Sequence, residues 1–392
     1  MTVGVCLRPA NVNIAVVLRM KNAQEIAREI AQSWEALHPE IIQDAEVNLD
    51  DENTRYLLVE DTEEYEHTAY PREEYAELER LRYREKDQFH ESLVTQITVM
   101  MIHGLIGERQ MFHAAALGNA ENKRAVALIA ESGTGKTTAS HFLGERFTYL
   151  TDETVIVDED RTVTPYLKPL SVITDPARPK QQISPEKMGL NLPEPDAQFK
   201  LTAMVILTRD KSEGYTAPVL KKVHLADALL KISAQTSGLG FTDRGVEKLI
   251  DLIVACGGVL RLEYSEISES LPLLVKLLNA PTPTEAREPI DIAYADNTKP
   301  AHGELARAAD TSGYRIDDRV LLMQETQLSE VSFFAGDLWF ELETPRTPQD
   351  LHRRLEELYE EEIPYDAFEK NLSELMGLGV IDQGRARAVA AS

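Results

Sequence analysis

The chain has 392 residues, enough for two or three domains, with 43% hydrophobic and 27% charged residues, the balance of an ordinary globular protein with a sizeable core. Its 66 acidic residues against 41 basic ones give a formal net charge of −25, which argues against nucleic acid as a partner because phosphate neutralisation needs clustered Lys and Arg. Two cysteines, Cys6 and Cys256, far apart and in no C-x-x-C pair, exclude a disulfide framework or zinc knuckle and suit a reduced cytosol. The stretch from Met1 to Arg19 lacks the order of a signal peptide, and no run approaches a membrane span, so the expectation is a cytoplasmic protein without a membrane partner.

In chain order, the apolar run from Val12 to Met20 reads as a strand. Asn22 with Glu25 three positions on resembles a capping box, opening a helix whose stripe is Ile26, Ile30 and Trp34. Tyr56 to Val59 reads as a strand, the acidic segment Glu60 to Glu85 as a solvated face, and Gln88 to Gly107 as a long helix with Phe89, Leu93, Ile97, Met100 and Met101 inward. These pieces make an N-terminal α/β lobe, 1–107.

Met111 to Leu117 is the next apolar strand, with one histidine, His113. A short turn leads to the strand Ala125–Ile129, so the two are expected to pair as a hairpin. The following residues, Ala130-Glu131-Ser132-Gly133-Thr134-Gly135-Lys136-Thr137-Thr138, run into a helix with Phe142 and Leu143 at helical spacing. Strand, glycine-bearing turn, then Lys-Thr at a helix start is the context of a phosphate-binding P-loop. Backbone N–H groups from Ser132 to Thr138 would converge on an anion, with the helix dipole adding to the attraction. Lys136 would reach the β- and γ-phosphates of ATP, and the Thr137 hydroxyl would sit on Mg²⁺. Ala130 stands where the usual pattern has its first glycine, a position at a strand end that needs no positive φ.

Leu150-Thr151-Asp152-Glu153 ends a further strand, expected beside Ala125–Ile129 so that both carboxylates reach the phosphate site. One would serve the metal; the other would accept the proton of an attacking hydroxyl. Lys168 and Arg244 are lesser candidates for contacting phosphate or substrate. Prolines place Val163–Val172 in a loop or edge strand and make Thr174–Phe199 a long loop. Leu201–Leu207 is a buried strand, 226–231 and 245–254 are helical, and Val259–Leu262 is a last strand, which closes a second region at 108–280. Pro281–Ser312 reads as a linker. After it, 313–384 holds a strand at 319–323, a helix with Trp339, a helix capped by Thr347 with Pro348 at its first position, a third helix with Phe368, Leu372 and Leu375, and a short strand at 380–381. Three helices with a small β-wing fit a winged-helix module.

Phe112-His113-Ala114 on a strand, the A-E-S-G-T-G-K-T-T turn, and Leu150-Thr151-Asp152-Glu153 together resemble the catalytic core of HPr kinase/phosphorylase and its relatives. Ser132, Gly133, Gly135, Lys136 and Asp152 match that pattern; Ala130, Ala114 and Glu153 depart from it. The resemblance implies an α/β fold with a P-loop HPr kinase C-terminal-like core, ATP and Mg²⁺ as cofactors, and catalytic roles for Lys136, Asp152, Glu153 and His113. Thr137 and Asp152 would hold the metal, and Glu153 would inherit the general-base position. Members of that family often assemble, so a homo-oligomer is open. The signature loop that HPr kinase uses to dock its protein substrate is missing, which points to the broader HPr kinase-like set, some of whose members phosphorylate small peptides.

Val320–Met323, the Phe334–Leu342 helix, Thr347-Pro348-Gln349-Asp350-Leu351 and Leu375–Ile381 resemble a PqqD-type domain, a small module that binds the leader of a ribosomally made precursor peptide by strand addition. The expectation is a kinase transferring the γ-phosphoryl group of ATP to a serine or other hydroxyl of a peptide or small protein held by this module. The competing expectations are a non-catalytic, ATP-gated peptide chaperone and a DNA-binding regulator with an ATP sensor. The acidic runs Glu356-Glu357 and Glu360–Glu362 oppose the last.

Overall fold

The computed structural model describes residues 2–61, 78–83, 85–130, 136–173, 180–212, 214–215, 217–283 and 289–384. Two compact units emerge, one from Met1–Lys222 with Ala255–Pro283, the other from Val223–Val254 with Thr284–Ser392.

The first unit opens with β1 (Thr2–Leu7), β2 (Asn13–Arg19), α1 (Ala23–Ser33), β3 (Glu40–Gln43), β4 (Thr54–Asp61), β5 (Glu79–Tyr83) and α2 (Lys86–Leu105). The strands form one sheet in the order β3-β1-β2-β4-β5, antiparallel across β1 and β2 and parallel from β2 through β5. The nearly unbroken apolar run of β2 suits its central, doubly covered place. Trp34, Ile26 and Ile30 are buried with Phe89, Leu93, Ile97, Met100 and Met101 of α2 in one core, so both helical stripes face inward as their spacing predicts. The predicted capping box does not form: Asn22 sits at the N-cap, yet its side chain makes no cap bond. Met111, Ile156 and Tyr166 join the same core, so the segment 1–107 and the chain beyond it are packed together.

The sheet that follows uses β6 (Gln110–Gly118), β7 (Arg124–Ile129), α3 (Lys136–Gly144), β8 (Thr148–Thr151), β9 (Thr154–Val157), β10 (Thr162–Thr164), β11 (Leu170–Val172), β12 (Gln181–Ile183) and β13 (Phe199–Arg209). β6 and β7 form the expected antiparallel hairpin; β13 lies parallel to β7, and Val259–Tyr264 lies parallel to β13. One expectation is corrected here. The strand ending at the acidic pair does not flank β7, because β6 and β13 occupy both of its edges. β8 and β9 pair instead along β6, antiparallel, with Ala116 opposite Thr151 and His113 opposite Thr154. They are two halves of one strand, bent at Asp152-Glu153. The stretch read as a long loop also contains structure: β11 and β12 pair antiparallel, while 174–179 lie outside the described residues.

In the second unit an antiparallel sheet runs in the order Asp291–Tyr294, Thr311–Ile316, Arg319–Gln324, Gln327–Val331. Helices Phe333–Phe340, Pro348–Tyr359 and Tyr365–Gly377 pack their apolar stripes with it around Trp339, Leu351, Leu355 and Phe368. Gly313 is required where Trp339 crosses the sheet, since a Cβ there would lie 2.5 Å from the indole. Thr347 accepts from the Asp350 amide and Pro348 follows it, as the sequence predicts. The segment read as a linker is not structureless. It supplies Asp291–Tyr294 to the sheet and Leu305–Arg307 to a pairing with Ile381–Gln383. Helices Leu225–Ser233 and Gly245–Ala255 also belong here, save Ala255; Asp227 on the first pairs with Arg319 at 2.8 Å.

Candidate functional site

β7 ends at Ile129 opposite Ala114, while β6 runs on to Gln110 against β9, and α3 begins at Lys136 shortly after β7. Glu131 to Gly135, which include the predicted phosphate-binding Ser132, Gly133, Thr134 and Gly135, lie outside the described residues, as does the side chain of Thr137. Thr138 is exposed on α3. Ala130 is 2% exposed, with its methyl in the core that Ala139 and Leu143 of α3 share with the sheet. The small side chain that replaces the usual glycine therefore fills packed space.

Lys136 is largely buried. Its ammonium donates to the carbonyl of His113 at 3.2 Å and to that of Ala130 at 3.5 Å, bridging β6 and the residue that follows β7. Burial pushes its pKa below the usual lysine range, against the pull of Glu153 and Asp152.

The antiparallel register of β6 and β9 brings the acidic pair to the same place. His113 pairs through Nδ1 with Glu153 Oε1 at 3.3 Å, and the Ala114 amide donates to the Glu153 carbonyl. Asp152 is 3% exposed, and its Oδ1 accepts from the buried Tyr149 hydroxyl at 2.9 Å. Lys168 stands between the two acids, 3.2 Å from Asp152 Oδ1 and 3.7 Å from Glu153 Oε2. One ammonium within 4 Å of both carboxylates means that the bend turns neighbouring side chains to one side, where an undistorted strand would send them to opposite faces.

The charges are mutually compensated. Burial works to raise the Glu153 pKa, but the His113 contact and the Lys168 and Lys136 ammoniums win, holding it at about 2. Burial, with the Asp152 carboxylate next, drives the Tyr149 phenol well above its ordinary value, so it stays a neutral donor.

The predicted catalytic residues Lys136, His113, Asp152 and Glu153 thus fall in one cluster. Lys168, a lesser candidate by sequence, is at its centre; Tyr149 carried no sequence signal. Arg244 belongs to the second unit, where it is exposed beside Glu247. As for metal, the carboxylates of Asp152 and Glu153 are hard oxygen donors of the kind Mg²⁺ takes, and so fit that ion, though Lys168 shares both. No group of three or more His, Cys, Asp or Glu that could form a preformed metal cage occurs among the described residues.

No family model matches the chain, and no curated protein matches it. Among solved structures, the Hpr(Ser) kinase/phosphatase from Coxiella burnetii is similar at 16% identity, over 43% of this chain and 87% of that one, with a TM-score of 0.26. A likeness so slight carries no weight, and the chemistry has to be judged on the cluster itself. No helix among the described residues is long and apolar enough to cross a membrane.

Proposed function

We propose that the chain is an ATP-dependent kinase that transfers the γ-phosphoryl group to a serine or other hydroxyl of a peptide or small protein. The observation that carries this reading is the double engagement of His113. Its carbonyl accepts from the lysine that follows the glycine turn, and its ring pairs with the second acid. The lysine after the glycine turn and an acidic pair are thereby joined on β6, beside the end of β7.

Phosphoryl transfer needs positioning and charge neutralisation more than covalent chemistry from the protein. Lys136 would exchange its two strand carbonyls for phosphate oxygens, with the amides of the turn completing the cradle. Mg²⁺, held by Asp152 and Thr137, would supply neutralisation of the phosphate oxygens. Glu153, with a pKa of about 2, is a weak Brønsted base at neutral pH. Its role is to accept a hydrogen bond from the acceptor hydroxyl, orient it, and receive the proton late in the transfer.

The peptide would be recruited by residues 313–384 of the second unit, read as a winged-helix, PqqD-like module, which shares the unit's antiparallel sheet. That sheet has the terminal strands Asp291–Tyr294 and Gln327–Val331, and strand addition at such a boundary would raise the local peptide concentration to the millimolar range, roughly. A second reading, a nucleotide-gated peptide chaperone without transfer, is favoured by one observation: both carboxylates already have cationic partners. Incubating the purified chain with Mg²⁺, γ-labelled ATP and a degenerate serine peptide library separates the two. The kinase reading predicts label in peptide, reduced at least 100-fold by Lys136→Ala. Nucleotide binding without label would support the chaperone, and label undiminished in the variant would refute the assignment of Lys136.

A further inference from the structure

Lys168 has the geometry of a cation built into the fold. It is 3% exposed, and its ammonium donates to the carbonyl of Pro169 at 3.2 Å and lies 3.2 Å from Asp152 Oδ1 and 3.7 Å from Glu153 Oε2. The Pro169 carbonyl is the next residue's own, so the ammonium is tethered to the backbone just before β11. Each carboxylate has a second partner: Tyr149 donates to the same Asp152 Oδ1 that Lys168 approaches, and His113 takes the other oxygen of Glu153, Oε1. Two acids this close repel each other unless a positive charge lies between them, and a buried pair persists only when its geometry and remaining hydrogen bonds are good.

We propose that Lys168 takes the place that a divalent ion would otherwise occupy between Asp152 and Glu153. It is a positioning residue: it sets the acidic pair before nucleotide arrives, so the resting protein has no need of a metal there. The consequence for turnover, that the reaction runs on the metal that accompanies ATP and no second one, rests on the kinase reading. The charge substitution itself does not, and it can be tested without nucleotide.

The experiment is a Mn²⁺ titration of the nucleotide-free full chain, following free Mn²⁺ by electron paramagnetic resonance. The native chain should show no stoichiometric site at the pair. Lys168→Met should gain one site at least 10-fold tighter, Lys168→Arg should behave as native, and adding Glu153→Gln to Lys168→Met should abolish the gain. Thermal melts run alongside, with Mn²⁺ raising the melting temperature of Lys168→Met and leaving that of the native chain unchanged. If Lys168→Met is unfolded without metal, saturating Mn²⁺ should refold it; failure to do so overturns the proposal. So would a native chain that binds Mn²⁺ at the pair as tightly as the variant, or a folded variant with no gain. Lys136→Ala combined with Lys168→Met should keep the Mn²⁺ site. A native chain that binds no ATP, together with the Mn²⁺ gain in Lys168→Met, would sink the kinase reading and leave this one standing.

Discussion

Glu153 links folding to pH through a single carboxylate. Its folded pKa of about 2 lies below the ordinary value of 4.5, so the unfolded chain binds more protons in between. The stabilisation is fully present above pH 4.5 and is lost as pH falls toward 2. Because the side chain is about a third exposed, solvent screening reduces it to about 1 kcal/mol. Denaturant melts from pH 7 to pH 2.5 should show this loss in the native chain and not in Glu153→Gln. The thiol of Cys256 makes a second residue-scale case. Burial pushes its pKa up to about 12, and its sulfur lies against the Leu201 carbonyl, so iodoacetamide at pH 8 should modify it only after unfolding. Reaction of the folded chain at the rate of a free thiol would contradict the burial. The gathering of Lys136, Asp152, Glu153 and His113 was legible from the strand–turn–helix motif together with the family resemblance, although the acidic pair joins β6 and not β7. Lys168 was legible only as a lesser candidate, since its place in the site depends on the irregular stretch between Thr164 and Leu170, which no periodicity announces.

Among the elements, long apolar runs were read well and their neighbours poorly. The strand β2, the helix α2 and the hairpin of β6 and β7 declare themselves by composition and period. The partner of β8 does not, because strand order is set by the whole sheet and four residues carry no label for which edge they join. The same limit hid the strands between Pro281 and Ser312, which are short and set among polar residues and prolines. Arg307 shows what holds that segment. Its guanidinium donates to the carbonyls of Trp339, Tyr294 and Phe340 and stacks 4.3 Å from the indole of Trp339. Arg307→Ala should cost roughly 3 kcal/mol in chemical denaturation, and lysine should recover less than half, because an ammonium cannot reproduce the planar fork. Equal stability of the lysine and arginine forms would contradict this account. At the helix Pro348–Tyr359, loss of the Thr347 cap through Thr347→Ala should cost about 1 kcal/mol by the same measurement.

On the scale of the whole molecule, the chain order and the compact units do not coincide. The first unit takes Val259–Tyr264 from beyond residue 255, and the second takes helices from 223–254. A linear reading divides a sequence at changes of composition, and neither crossing leaves such a mark. Truncation after Pro283 should therefore strand the helices Leu225–Ser233 and Gly245–Ala255, whose apolar residues include Leu229, Ile232, Leu249 and Ile250. The shortened chain should bind the dye ANS strongly; a truncated form with the dye response of the full chain would count against the division. The net charge of −25 is that of an acidic chain, and under the proposed kinase reading it would favour a neutral or basic peptide.

The central claim is phosphoryl transfer from the Lys136 site to a peptide hydroxyl. A phosphoproteomic comparison of cells carrying the native chain and cells carrying Lys136→Ala tests it most directly and identifies the acceptor. The account predicts a phosphorylated serine or other hydroxyl residue present with the native chain and lost with the variant. Identical phosphopeptide profiles from the two would contradict it.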